Sequence, residues 1–202
     1  MQYEPAVEGR SVCNYVGLKN AGATCYMNSV IQQLFLVPGV KEALLAIDDE
    51  DADEETLFFQ FQMVIGHLQD SKLQYFVPDK FWRCLRLRGQ PVNVREQQDS
   101  FEFFTHLVDS IDEHLHKMER DKLFHHVLGG VFSDQMICKE CPHRYEREQI
   151  FLALNLTVKS HNLVDSLEQF VKGELLEGDN AYYCEECDVK VRFAQLLFTL
   201  SV

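Results

Sequence analysis

The sequence predicts an α+β chain with a helical first half and a mainly β second half. From about Glu96 to Met118, residues Phe101, Phe104, Val108, Ile111, Leu115 and Met118 recur at steps of three and four, the stripe of a helix with one apolar face. Within Arg144 to Val158, Ile150, Leu152, Leu154, Leu156 and Val158 alternate strictly, the period of a half-buried strand. Gly129-Gly130 lies between the two patterns and marks the change of character.

The remaining elements follow in order. An apolar helical pattern (Val30, Ile31, Leu34, Phe35) begins just after Cys25 and ends near Pro38, because a proline disfavours helix in the residue before it. Leu57, Phe61, Val64 and Leu68 mark a second helix. Pro78-Asp79 opens a short turn or helix carrying Phe81 and Trp82. In the second half a short helix is expected near Val164 to Val171. Turn residues Glu177-Gly-Asp-Asn180 follow it, and a final strand-like stretch is rich in Val, Phe and Leu.

A chain of 202 residues can bury a sizeable core, as one large domain or two small ones. No uninterrupted apolar run reaches membrane-spanning length, and the start, Met1 to Arg10, lacks a basic segment followed by an apolar one. The expectation is an intracellular protein, cytoplasmic or nuclear, with no membrane partner. The formal net charge of −13 argues against nucleic acid and suits a basic ligand. Much of the charge lies in Asp48-Asp-Glu-Asp-Ala-Asp-Glu-Glu55, seven acids in eight residues, read as a solvated loop between helices.

Seven cysteines in an intracellular chain point to metal or catalytic groups rather than disulfides. Cys13 and Cys84 stand alone and read as ordinary reduced thiols. Cys138-Lys-Glu-Cys141 and Cys184-Glu-Glu-Cys187 are two C-x-x-C knuckles, which together complete a four-sulfur tetrahedral shell suited to one structural zinc ion. The 42 residues between the knuckles exceed a compact ribbon, so a strand and a helix must be inserted there. His143, close behind Cys141, is a possible ligand but unnecessary once four sulfurs are in place. A redox role would need a thioredoxin-like βαβ setting, which the pattern does not supply.

The remaining cysteine has the most informative surroundings. In Tyr15-Val-Gly-Leu-Lys-Asn-Ala-Gly-Ala-Thr-Cys25-Tyr-Met-Asn-Ser29, Gly17 and Gly22 punctuate the approach to a helix that starts at the cysteine. A thiolate at a helix N-terminus is stabilised by unpaired backbone N–H groups and the helix dipole. The Asn20 amide, five residues upstream, could donate to a developing oxyanion. The bland alternative is a buried structural cysteine in a Gly-rich turn.

From Tyr15 to Gln33 the chain resembles the cysteine box of the ubiquitin-specific proteases, papain-like deubiquitinases with the usual form Gly-Leu-x-Asn-x-Gly-Asn-Thr-Cys-Tyr-x-Asn-Ser. It differs at Ala23, where many members carry Asn. The resemblance implies that Cys25 is the nucleophile and Asn20 the oxyanion donor. It extends over about Tyr15 to Arg192, and the segments 141–148 and 166–178 look most similar to the very large, fat-facets-like members. The implied fold is the N-terminal part of a papain-like cysteine protease. It would have an N-terminal flank (1–14), a helical thumb (15–128, with the acidic loop at 48–55) and β-rich zinc-binding fingers (129–202), the palm being incomplete.

Gln97-Gln-Asp-Ser-Phe-Glu-Phe103 is similar to the family's Gln-x-Asp-Ala-x-Glu-Phe motif and implies that Asp99 and Glu102 face the arginines of the ubiquitin tail. Without the resemblance, the two acids are ordinary first-turn residues that cap the helix and complement its dipole. The family's C-terminal histidine box, Gly-His-Tyr-x-Ala-Tyr, is absent. His67, His106, His114, His116, His125, His126, His143 and His161 stand in other contexts, with His125-His126 read as a surface pair.

The chain is therefore expected to stop inside the fold, to leave its last strands unpaired and to turn over ubiquitin conjugates very poorly. The functional expectation is a cysteine-type deubiquitinase that acts on ubiquitin and ubiquitinated proteins through a thioester on Cys25. The competing readings are a non-catalytic ubiquitin-binding zinc scaffold and, from the C-x-x-C pairs, a redox or metal-transfer protein.

Overall fold

A computed structural model describes residues 9–49, 53–159 and 162–201. Residues 1–8 of the N-terminal flank, Glu50 to Ala52 of the acidic loop and His161 lie outside the described residues. The chain divides into two compact units, one up to Val127 and one from Leu128.

The first unit runs β1 (Gly17–Leu18), α1 (Cys25–Leu36), α2 (Val40–Leu45), α3 (Leu57–Asp70), β2 (Tyr75–Phe76), α4 (Asp79–Cys84), β3 (Arg86–Leu87), β4 (Gln90–Pro91), α5 (Ser100–Lys117) and α6 (Leu123–Leu128). Local chemistry sets the boundaries. α1 stops at Leu36 because Val37, before Pro38, is extended, and Gly39 then turns the chain with φ 88°. Thr56 caps α3, its hydroxyl accepting the Phe59 N–H at 3.2 Å. Asp99 caps α5, its Oδ1 accepting from the N–H groups of Phe101 and Glu102 at 2.8 and 2.9 Å.

The core of this unit is aromatic and aliphatic: Phe58, Phe61, Phe81, Phe103, Met27 and Ile31 are fully buried. The α5 stripe differs from the expected one. Its buried apolar face is Phe103, Leu107, Val108, Ile111 and Leu115. Phe101 is 48% exposed and stacks on the half-buried Phe104 with ring centroids 6.5 Å apart. Phe103 takes the core position because Tyr26 of α1 meets its ring edge-on at 5.8 Å. The expected surface pair is also corrected. Nδ1 of half-buried His125 stands 2.9 Å from Oδ2 of buried Asp112, while His126 is exposed.

The second unit contains β5 (Gly130–Cys138), β6 (Arg144–Phe151), α7 (Leu163–Val171), β7 (Glu174–Leu176), β8 (Tyr182–Cys184), β9 (Val189–Val191) and β10 (Phe193–Ser201). Four strands form one antiparallel sheet in the order β6-β5-β10-β7, and β8 pairs with β9 as a separate hairpin. The last strand is thus paired along its length with β5, against the expectation of unpaired final strands, and on its other side it meets β7 over Phe193 to Gln195. The alternating segment is strand only to Phe151. As an edge strand it buries little, with Ile150 66% exposed and Val158, beyond its end, 95% exposed. Gly130 lies under the Phe151 ring, where a Cβ would fall 2.4 Å from Cζ, so a side chain at this cross-strand position would have to displace the ring.

All seven cysteines are free thiols. Among the described residues, no helix is long and apolar enough to cross a membrane.

Burial predicts how two neighbouring phenylalanines differ. Phe103→Ala should cost about 3–5 kcal/mol in urea unfolding, whereas Phe101→Ala should stay within about 1 kcal/mol of the parent.

Candidate active site and metal centre

Residues 20–24 form a tight turn that delivers Cys25 to the first position of α1. The Asn20 side-chain oxygen accepts three hydrogen bonds: from the Gly22 N–H at 2.9 Å, the Thr24 N–H at 3.2 Å and the Thr24 hydroxyl at 3.2 Å. With Oδ1 so occupied, the Asn20 Nδ2 group is left to point elsewhere, and the side chain is exposed. The Thr24 hydroxyl, fully buried, also accepts the Ala21 N–H at 3.1 Å. The incoming segment before α5 docks on this turn, the Ala23 N–H donating to the Val94 carbonyl at 2.8 Å. Gly22, at φ 138°, allows the close approach; a Cβ there would stand 3.4 Å from the same carbonyl.

Cys25 is exposed at the start of a twelve-residue helix whose N-cap makes no side-chain hydrogen bond. The first-turn N–H groups of such a helix favour an anion. Its polar side-chain contact is Gln97, whose Oε1 and Nε2 both stand 3.4 Å from Sγ. Among the described residues, no histidine lies within hydrogen-bonding distance of Cys25. Gln97 and Thr24 were missed as site residues in the sequence, although both stand inside motifs singled out there. The next residue, Tyr26, has its phenol raised above the usual range, first by burial and then by the neighbouring Cys25.

The two carboxylates expected to face a basic partner are both engaged. Asp99 caps α5 through Oδ1. Glu102 is gripped by Arg88 in a forked ion pair, Nε to Oε1 at 2.6 Å and Nη2 to Oε2 at 2.7 Å. Arg88 and Gly89 both take positive φ (51° and 75°) in the two-residue turn between β3 and β4, which fixes the arginine backbone.

In the second unit, Cys141, His143, Cys184 and Cys187 bring their donor atoms within 4.8 Å of one another, a group that could hold a metal ion. Bonds of the zinc–sulfur and zinc–nitrogen lengths imply tetrahedral edges of about 3.8 Å (S···S) and about 3.6 Å (S···N). The Cys141–Cys184 distance is 3.9 Å, and His143 Nδ1 lies 3.4 Å from Cys184 Sγ and 3.3 Å from Cys187 Sγ. The donor set therefore fits a tetrahedral ion.

Three of the four expected cysteines meet there, with His143 as the fourth donor. Cys138, the fourth expected cysteine, is buried directly beside this group, its side chain in hydrogen-bonding contact with that of Cys141 and its Sγ accepting the N–H groups of Glu140 (3.4 Å) and Cys141 (3.2 Å).

Without a metal the thiols differ in character. Burial opposes the charged form of Cys184, but the Tyr145 hydroxyl, the Cys187 backbone N–H and His143 outweigh it and lower the thiol to about 6. Cys141 is pushed up to about 12, first by its contact with Cys138 and then by burial.

An exposed thiol at a helix start, with the Gln97 side-chain amide against it and a hydrogen-bonded turn leading into it, is an arrangement that could serve a cysteine nucleophile. The chain matches the family model "Ubiquitin carboxyl-terminal hydrolase" over residues 16–198, and it belongs to that family. It is 55% identical over 190 residues to Ubiquitin carboxyl-terminal hydrolase 24 of Homo sapiens, covering 93% of this chain and 7% of the relative. It is 44% identical over 236 residues to Ubiquitin carboxyl-terminal hydrolase 9X of Mus musculus, covering 94% of this chain and 9% of the relative. Against the Probable ubiquitin carboxyl-terminal hydrolase FAF of Drosophila melanogaster the identity is 40% over 239 residues, with the same two shares of 94% and 9%. The chain thus spans less than a tenth of the length of these curated relatives.

The buried Thr24 hydroxyl gives a direct test of the turn. Thr24→Val keeps the shape but leaves the Ala21 N–H without its partner, and should cost about 1–3 kcal/mol in urea unfolding. Thr24→Ser, which restores the hydroxyl, should recover most of that loss.

Proposed function

We propose that the chain carries the nucleophile of a cysteine-type deubiquitinase acting on ubiquitin and ubiquitinated proteins. The observation that carries this reading is the exposed Cys25 at the start of α1 beside an Asn20 amide whose oxygen is fully committed. In the proposed reaction the Cys25 thiolate attacks the carbonyl carbon of the C-terminal glycine of ubiquitin. The carbonyl electrons move to oxygen, and Asn20 Nδ2 donates to that oxyanion. The tetrahedral species collapses, the lysine amine of the substrate leaves with a proton, and water later hydrolyses the thioester. The proton carrier is a histidine that the described residues do not bring to Cys25, so turnover by this chain alone is proposed to be poor.

Asp99 is proposed to meet an arginine of the ubiquitin tail through its second oxygen, since Oδ1 is spent on the helix cap. Glu102 would join it only by giving up Arg88. In thumb-and-fingers terms, the first unit is proposed as thumb and the second as fingers. One structural zinc ion would be held by Cys141, His143, Cys184 and Cys187, all four positions being filled by protein. The free thiols suit a reducing compartment, so the cytoplasm or nucleus is proposed.

The test of the function uses the zinc-loaded chain and ubiquitin bearing a C-terminal thiol-reactive electrophile. Labelling should be confined to Cys25 and vanish in Cys25→Ala; no labelling of a folded chain would favour a non-catalytic ubiquitin-binding scaffold. With ubiquitin C-terminal aldehyde, which adds the thiol to give a tetrahedral hemithioacetal, Asn20→Asp should weaken binding by about a hundredfold. Its unfolding midpoint should stay close to the parent, because the aspartate keeps the three acceptor bonds.

Metal content supplies a separate check. Cys141→Ala, His143→Ala and Cys184→Ala should lose zinc on dialysis against a mild chelator, while Cys138→Ala should keep it. Retention should also fail as the pH falls, since thiols must shed protons to bind.

A further inference from the structure

We infer that Gln97 is a positioning residue for the Cys25 nucleophile, holding Sγ through both of its protonation states. The inference rests on the proposed role of Cys25 and goes beyond it. The carboxamide stands side-on to the sulfur, with Oε1 and Nε2 each 3.4 Å from Sγ. A thiol needs an acceptor for its S–H, and a thiolate needs donors. A glutamine amide offers both within one side chain, which aspartate, glutamate, lysine and arginine cannot do. When the proton leaves, the amide turns its N–H to the sulfur, so the same residue keeps Sγ in place and favours the anion.

The backbone around Gln97 is built to hold it there. Asn93 organises the turn before it: its Oδ1 accepts the Arg95 N–H at 3.1 Å, its carbonyl accepts the Glu96 N–H at 3.0 Å, and its Nδ2 donates to Glu96 Oε1 at 2.9 Å. On the other side Asp99 starts α5 as its cap. The Ala23 N–H to Val94 carbonyl bond locks this segment to the turn that carries Asn20. One loop-to-loop hydrogen bond therefore ties the segment that sets the Gln97 amide against the sulfur to the turn that delivers Cys25.

The titratable groups on the segments that meet at Cys25 are Lys19 and Tyr26 on its own side and Arg95, Glu96 and Asp99 on the incoming segment. Lys19 Nζ lies 5.0 Å from the centre of the Tyr75 ring, Glu96 is bonded to Asn93, and Asp99 is spent on the α5 cap. A change at Gln97 leaves all of these in place.

The test is the pH profile of Cys25 alkylation by iodoacetamide in the zinc-loaded chain, read by peptide mass mapping so that the other six cysteines are followed separately. Gln97→Glu is isosteric but can only accept in its charged form. It should slow labelling of Cys25 about tenfold at pH 7 and displace the profile to higher pH. Gln97→Ala should slow it less. Rates at the other cysteines and the far-ultraviolet dichroism should not change.

A Gln97→Glu profile that superposes on the parent would overturn the inference, as would an equal slowing at every cysteine. Labelling by the ubiquitin electrophile in the parent chain tests the deubiquitinase reading separately. If the ubiquitin probe fails while the iodoacetamide profile still moves, Gln97 keeps its role and only the proposed substrate falls.

Discussion

The constraint on which the active-site end of the first unit depends is the triple acceptance by Asn20 Oδ1. Gly22 and Thr24 sit in a turn too tight to make regular backbone pairs, and their N–H groups would otherwise lack partners. Buried donors left unpaired cost about 1–3 kcal/mol each. One side-chain oxygen removes that cost for the buried Thr24 N–H, and it also receives the exposed Gly22 N–H and the Thr24 hydroxyl. The same bonds decide where the Asn20 N–H groups can point. In the proposed mechanism the residue that shapes the turn also serves the oxyanion, and the two roles separate only when donor and acceptor are changed independently.

The second unit solves a different problem. Its buried residues around the metal group are Cys138, Cys184 and Val191, with Met136, Tyr145, Leu176 and Tyr182 packed alongside. Small thiols and one valine supply little apolar area compared with the phenylalanines of the first unit, and a core of this kind is short of hydrophobic stabilisation. The four donors gathered there could hold one ion, and bonds to it would compensate for that shortage. The backbone is arranged to suit: the Lys139 N–H donates to the Arg192 carbonyl at 2.9 Å, and Arg192 Nε donates to Glu140 Oε1 at 2.7 Å. These bonds tie the first knuckle to the strand pair that follows the second.

Element type and order were largely legible from period and punctuation. The helix at Leu57–Asp70, the stop before Pro38 and the helix at Leu163–Val171 all follow from signals within a few residues of each boundary. What the sequence could not settle was phase and partner. Phe101-Glu-Phe103-Phe104 permits two apolar registers on one helix, and the choice falls to the ring that meets it, Tyr26, which is distant in sequence. The same limit hid Gln97 beside Cys25, 72 residues away, and His143 beside Cys184 and Cys187. The pairing of the last strand likewise depends on β5 and β7, whose distance along the chain no local pattern records.

Charge adds a last step. The chain carries a net −13, and one of its surface cations, Arg88, is forked onto Glu102. An exposed ion pair of this kind contributes only about 0–1 kcal/mol to stability, so it is a poor reason for the geometry to be so good. The fork does establish what Glu102 can hold, namely a planar guanidinium approached along both oxygens. An incoming arginine would replace one such pair with another, and the net gain would be small. Asp99 differs because its cap uses one oxygen and breaks no ion pair. Of the two carboxylates proposed to meet a basic tail, the one that would add affinity is therefore the one already serving the helix.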